Sequence, residues 1–265
     1  PIGKIGLNEN LTPLIFSLLR IFPMLFLLTP FVKITSIYNE NFKFVMLYGL
    51  LIGLGLYPLM YLSLEYTKST SSIILIMQLS IPIGIILGSI YLKENVSMIR
   101  WTLIGVVLIG LTLISFDPVV LKSKLSLFFG VLAAISYGSA SMLSKKINSF
   151  SSLEVNGWMA IISFPLVFLL VCLFEKQELS IILDHPWKTY MPAIYSGVVV
   201  SCIAQVLMLW LYKYYDVKTV LPFYSLFPVF GVMLTVLLLI ESISLLIILG
   251  SIIVISGNFY LQKFK

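Results

Sequence analysis

Two polar residues in otherwise apolar stretches each stand four positions ahead of a proline: Gln78 ahead of Pro82, and Tyr224 ahead of Pro228. A proline inside a helix has no N–H to offer the carbonyl four residues back. Each proline therefore frees a backbone oxygen on a residue whose side chain is already polar. At membrane depth such groups are tolerated only where protein or water satisfies them. The chemistry this arrangement suits is hydrogen bonding to a small polar solute, and these segments are expected to face a polar cavity. The plainer alternative is that Gln78 and Tyr224 bond a neighbouring helix and only hold packing.

Further candidates lie in the same apolar surroundings. Tyr57, followed by Pro58, and Gln205 are mid-span, where a buried amide or hydroxyl needs partners. Either residue contacts a ligand or makes an interhelical hydrogen bond. Tyr137, with Ser136 and Ser141, lies on a helix rich in small residues, which line a cavity or permit close packing. Arg20 is a charge within a span and costs roughly 2.5–3.5 kcal/mol at a bilayer centre. It must face protein or water, and it binds an anionic group of a substrate or pairs with a helix C-terminus or carboxylate. The substrate-site candidates are thus Gln78, Tyr224, Tyr57, Gln205, Tyr137 and Arg20. No nucleophile with a positioned base, no His-Glu-x-x-His and no phosphate loop is found, so no catalytic residues, metal ligands or cofactors are expected and the chain does not read as an enzyme. His185 stands alone, and Cys172 and Cys202 sit in apolar runs as small buried hydrophobes.

The elements that must position these residues are membrane helices. The chain is 60% hydrophobic and 11% charged, with a mean hydropathy of +1.07, against about 25% charged residues in a soluble domain. The uncharged run Ser72–Leu92 reaches roughly 31 Å as a helix, enough to cross the hydrocarbon of a bilayer. Spans are expected at Leu11–Val32, Phe42–Leu64, Ser72–Leu92, Ile99–Phe116, Leu125–Leu143, Val155–Phe174, Met191–Tyr212, Thr219–Ile240 and Ser244–Leu261. Residues 1–10 read as the end of a helix whose beginning is missing, with its loop.

The second half of the chain repeats the first. At a shift of 146 residues Pro82 falls on Pro228 and Gln78 on Tyr224, and Glu94-Asn-Val-Ser is echoed by Glu241-Ser-Ile-Ser. At a shift of 142, Arg20-Ile-Phe-Pro-Met-Leu-Phe-Leu-Leu falls on Ile162-Ser-Phe-Pro-Leu-Val-Phe-Leu-Leu. Two matches at nearly one shift argue for an internal duplication. It pairs the first four spans with the last four in order and leaves Leu125–Leu143 without a partner, whose place would precede residue 1. The expected fold is an all-α membrane protein: a polytopic helical bundle of two inverted five-helix repeats, ten helices in the full protein and about nine in this chain. The first repeat covers 1–120 with its first helix largely missing, and the second covers 121–265, within one membrane domain. Five helices per repeat force opposite orientations, the arrangement of many secondary transporters. Glu94 and Glu241 read as helix starts, where acid is favourable.

The net charge of +6 is scattered through short loops, with no basic stripe for nucleic acid. Lys33, Lys43, Lys93, Arg100, Lys145, Lys146, Lys213, Lys218, Lys263 and Lys265 fall on one side, the richer one. Positive residues favour the cytoplasm, which places the C-terminus inside.

The helix bearing Leu19-Arg20, the Pro82–Glu94 segment with its Gly105/Gly110 helix, and the second copy from Pro228 through Glu241 to Gly250 resemble the EamA branch of the drug/metabolite transporter superfamily. The resemblance covers nearly the whole chain. It implies two inverted five-helix repeats, a central cavity and alternating access in a bacterial plasma (inner) membrane. It also implies small-molecule substrates such as amino acids, commonly exported, with membrane lipid as surroundings. A coupling proton, for which Glu65 at a helix end is the titratable candidate, and a homodimer are left open as further partners. A lipid-carrier flippase, resembled by short relatives, is the alternative function. The departure is at the N-terminus, where the first helix of the family is cut short.

Overall fold

The computed structural model describes residues 1–93, 95–214 and 226–263. In chain order its principal helices are α1 (Ile2–Asn8), α2 (Pro13–Leu28), α3 (Phe42–Gly49), α4 (Tyr57–Tyr66), α5 (Thr70–Ile76), α6 (Ser80–Tyr91), α7 (Met98–Ser115), α8 (Lys124–Leu143), α9 (Ser152–Phe174), α10 (Met191–Tyr195), α11 (Val206–Tyr214), α12 (Leu226–Leu239) and α13 (Leu245–Lys263). Among the described residues there is no strand. Among the described residues seven helical stretches are long and apolar enough to cross a membrane: Pro13–Phe31, Phe42–Tyr66, Thr70–Tyr91, Met98–Ser115, Lys124–Leu143, Ser152–Phe174 and Trp187–Met208. Two shorter apolar helices, Leu226–Leu239 and Leu245–Leu261, follow. This is a polytopic, all-helical membrane protein, with helices at every expected span. Tyr224, Glu94 and the start of the Thr219–Ile240 span lie outside the described residues.

The chain forms two compact units, and each draws on both halves of the sequence. The first comprises residues 2–65 and 143–214, the second 66–142 and 215–265, with residue 1. In each unit, helices paired by the duplication lie side by side.

In the first unit α2 runs antiparallel to α9. The carboxylate of Glu175, just past the end of α9, accepts from the backbone N–H groups of Leu14 (3.1 Å) and Ile15 (2.9 Å) and from the Thr12 hydroxyl. It thereby satisfies donors that the first turn of α2 leaves without an intrahelical partner. At the other end, Gly157 of α9 meets the backbone of Leu28. Ser151 caps α9 through the N–H of Glu154 at 3.1 Å, and the Glu154 carboxylate accepts from the Ser36 hydroxyl. Between α3 and α4 the Leu50–Leu56 segment is π-helical, as is Ser196–Gln205 between α10 and α11. Pro58 cannot donate to the carbonyl four residues back, and the N–H of Tyr57 bonds Ile52, five residues back.

In the second unit α7 and α13 are antiparallel. Gly110 and Gly250 mark their crossing: a Cβ on either would stand about 3 Å or less from the other's carbonyl oxygen, at 3.1 and 2.8 Å. Only residues without a side chain let the backbones approach so closely. Around this crossing Val107, Leu111, Ile114, Ile247 and Val254 form a buried core with Leu75 of α5. Asp117, past the end of α7, accepts from Ser244 at the start of α13. Helix α5 lies antiparallel to α12, with Gly231 against Ile74. The carboxylate of Glu241 accepts from the Ser69 hydroxyl (2.7 Å) and the N–H groups of Thr70 (2.9 Å) and Ser71 (3.3 Å). This corrects the expectation for Glu241. Its acid does serve a helix N-terminus, but that of α5, 170 residues earlier, while α13 begins later at Leu245.

Candidate substrate site

The first unit gathers three of the expected residues, Arg20, Tyr57 and Gln205, into one hydrogen-bonded network. Helix α2 carries Arg20 to the interior, where it is 7% exposed. Its Nε donates to the Ser201 hydroxyl at 3.0 Å and its Nη1 to the Tyr61 hydroxyl at 2.9 Å. The guanidinium carbon lies 3.9 Å from the centre of the Tyr57 ring, a cation–π contact. Tyr57 donates its hydroxyl to Gln205 Oε1 at 3.0 Å and lies 3.3 Å from the Ser201 hydroxyl. Gln205 Nε2 in turn donates to the Tyr48 hydroxyl at 3.3 Å. Tyr48, Tyr57, Tyr61 and Ser201 are buried, and Gln205 is half-buried. The network thus runs from a half-buried amide to a buried cation.

Local geometry explains the convergence. Tyr57 and Tyr61 are four apart on α4 and share a face. Ser196 and Ser201 are five apart, which aligns them in a π-helical turn, and Ser201 donates to the Ser196 carbonyl at 3.1 Å. Gly197 lets this segment press against α2: a Cβ there would stand 2.4 Å from the Arg20 carbonyl oxygen and 3.0 Å from Pro23. Any side chain at 197 would drive Ser201 and Gln205 away from Arg20.

Sequence reasoning missed Tyr48, Tyr61, Ser196 and Ser201. The i, i+4 spacings of Tyr61 from Tyr57 and of Ser201 from Gln205 were the available signal. The other candidates lie elsewhere. Gln78 and Tyr137 belong to the second unit. Gln78 is buried, and its Pro82-freed carbonyl accepts from Asn258 Nδ2 at 3.4 Å. The short Met77–Leu79 stretch around it is 3₁₀-helical. Tyr137 is half-buried on α8, and the Ser141 hydroxyl donates to its carbonyl at 2.9 Å. Tyr224 lies among the residues not described.

Among the described residues the partners of Arg20 are hydroxyls and a ring, with no carboxylate. The network presents neutral donors and acceptors beside one fixed cation. Its hydrogen bonds tie α2, α3, α4 and the Ser196–Gln205 segment together.

The EamA-like transporter family model matches this chain over residues 1–116 and 124–261. The uncharacterized transporter YoaV of Bacillus subtilis (strain 168) is 24% identical over 265 residues, covering 97% of this chain and 89% of that protein. A solved crystal structure superposes with a TM-score of 0.64 at 14% identity, over 98% of this chain and 93% of the other. That likeness is one of fold.

Proposed function

The chain belongs to the EamA-like transporter family, and from that premise we propose that it is a secondary transporter that exports small polar metabolites of amino-acid type by alternating access. The observation that carries the proposal is the meeting of Arg20, Tyr57 and Gln205 in one buried network on four chain segments. An ionisable side chain inside a membrane bundle, here Arg20, is by default a candidate for a functional site.

The inverted-repeat reading has two supports. The family model matches two segments, one in each half of the chain. Helices paired by the duplication also run antiparallel within each unit, α2 with α9 and α7 with α13. Inverted repeats bring equivalent helices together in this sense. The distribution of Lys and Arg supports a plasma (inner) membrane orientation with the C-terminus in the cytoplasm. Gln78, Tyr137 and Tyr224 remain part of the proposed substrate path through their polar character in apolar spans.

The test is transport by purified protein in proteoliposomes loaded with labelled amino acids and related solutes. Tyr57→Phe and Gln205→Leu are expected to lower transport by about tenfold, the loss of one hydrogen bond to a bound solute. Gln78→Ala and Tyr224→Ala are expected to lower it as well. Unchanged transport in Tyr57→Phe and Gln205→Leu would remove the network from the substrate path.

A further inference from the structure

We propose that Ser196–Gln205 is a two-register switch: its π-helical form builds the polar network, and a one-residue slip into α-helix takes the network apart during transport. This rests on the transporter reading above. The spacing of the network residues carries it. Ser196 and Ser201 are buried five positions apart, and half-buried Gln205 follows four further on. Each residue of an α-helix turns the chain by about 100°, so residues five apart point about 140° away from each other. An α-helix continued from Ser196 therefore presents Val200 and Ala204, four and eight positions on, in place of Ser201 and Gln205. Both now lie on the outer face, Val200 at 40% exposure and Ala204 also exposed. The slip exchanges a hydroxyl and an amide for two apolar side chains in front of Arg20 and Tyr57.

The other π-helical segment, Leu50–Leu56, begins 146 residues earlier, at the shift that carries Pro82 onto Pro228. It has Pro58 just beyond it to interrupt the ladder. Ser196–Gln205 contains no proline, so its backbone is free to close an α-helical ladder. What opposes that is the network itself. The Ser201 hydroxyl meets Arg20 Nε at 3.0 Å, the Ser196 carbonyl at 3.1 Å and the Tyr57 hydroxyl at 3.3 Å, and Gln205 accepts from Tyr57 at 3.0 Å. Gly197, pressed against the Arg20 carbonyl, anchors the start of the segment, so a slip moves the residues after it. A solute that takes over the Tyr57 hydroxyl or the Gln205 amide removes part of what holds the π register and shifts the balance towards α. The groups that bind and the element that moves are then the same residues. Single π turns within α-helices occur frequently at functional sites.

The experiment deletes Val200 from the full-length protein. Ser196, Ser201 and Gln205 then fall at intervals of four in an ordinary α-helix, so the polar face is kept and the second register is lost. In proteoliposomes loaded with labelled amino acids, transport by the deletion variant is expected to fall at least about tenfold, a barrier change of about 1.4 kcal/mol, with its melting temperature equal to or above that of the wild type. Cys202 lies inside the segment and reports the register directly; Cys172→Ser leaves it as the sole thiol. Fluorine NMR of a trifluoromethyl label on Cys202 should give two environments, as separate lines or as one line broadened by exchange, since helix register shifts fall in the microsecond-to-millisecond range. Deletion of Val200 should leave one sharp line. Should the deletion variant fail to give a monodisperse protein, the spectrum of the Cys172→Ser protein still decides. Wild-type transport after the deletion, or one sharp line in the Cys172→Ser protein both with and without the solutes, overturns the switch and leaves the transporter reading standing. A wild type that moves none of the solutes overturns the transporter reading, and the role in transport proposed here with it.

Discussion

The hydroxyl of Tyr57 offers a direct test of whether the network is physically coupled. Tyr57→Phe removes that hydroxyl and keeps the ring 3.9 Å from the Arg20 guanidinium, so the cation–π contact survives. What is lost is the 3.0 Å bond to Gln205 and the 3.3 Å contact with Ser201. Two neutral hydrogen bonds at a buried site correspond to about 1–2 kcal/mol. Gln205→Leu loses the same bond and the 3.3 Å bond to Tyr48, and leaves the Tyr57 hydroxyl with Ser201 as a fallback, so it should cost about 1 kcal/mol. Interhelical hydrogen bonds in membrane proteins average about 0.6 kcal/mol in double-mutant cycles and reach about 1.7. Tyr57 is 1% exposed, which places this bond towards the upper part of that range. The double variant should therefore be more stable than the sum of the single changes implies by about 1 kcal/mol. The measurement is equilibrium unfolding of the four proteins in mixed detergent micelles. Additivity within about 0.3–0.5 kcal/mol, the behaviour of independent sites, would refute the coupling.

Three further predictions follow from the same structure. Glu241→Ala removes three hydrogen bonds from the start of α5 and should lower stability by about 2–3 kcal/mol, with Glu241→Gln losing roughly half as much; equal melting of all three proteins would dismiss the cap. Gly197→Ala places a methyl 2.4 Å from the Arg20 carbonyl oxygen and should cost about 1–3 kcal/mol in unfolding experiments and reduce transport, the second effect being absent if the site does not depend on this approach. Asn258→Leu withdraws the donor to the Gln78 carbonyl and should destabilise by about 1 kcal/mol; Pro82→Ala restores a backbone N–H and should suppress that loss, which melting of the double variant will show or deny.

The spans were legible because uncharged apolar runs of membrane length have few other uses, and Arg20, Tyr57 and Gln205 stood out as polar groups within them. Their convergence was not legible. Arg20 and Ser201 are 181 residues apart, and hydropathy carries no information on which faces meet. Tyr61 and Ser201 were within reach of helical spacing from their neighbours, but a serine in a span commonly bonds its own helix, and spacing does not say which neighbour a tyrosine hydroxyl reaches. The π-helical segments left one trace, Pro58, which hints at a disturbed ladder without saying how it is repaired. Glu241 shows the same limit from another side. Its sequence surroundings suggested the start of its own helix, and only the antiparallel approach of α12 to α5 makes it serve another. Ile240, which precedes it, takes a left-handed φ of 53° to make that turn, a strain invisible in the sequence.

Because both units interleave distant stretches, the protein cannot be completed in the order in which it is made. The Arg20 guanidinium enters the bilayer early; its ring partner Tyr57 comes first and its hydrogen-bond partner Tyr61 follows 41 residues after Arg20, but Ser201 emerges only after 181. At about 5–20 residues per second the ribosome takes roughly 9–36 s to supply it. Through that interval the nascent chain holds a charge in or near lipid with Tyr57 and Tyr61 for company and without the Ser201 hydroxyl. A chain that ends before residue 201 therefore lacks the acceptor of the Arg20 Nε–H and leaves this buried donor to be met in another way.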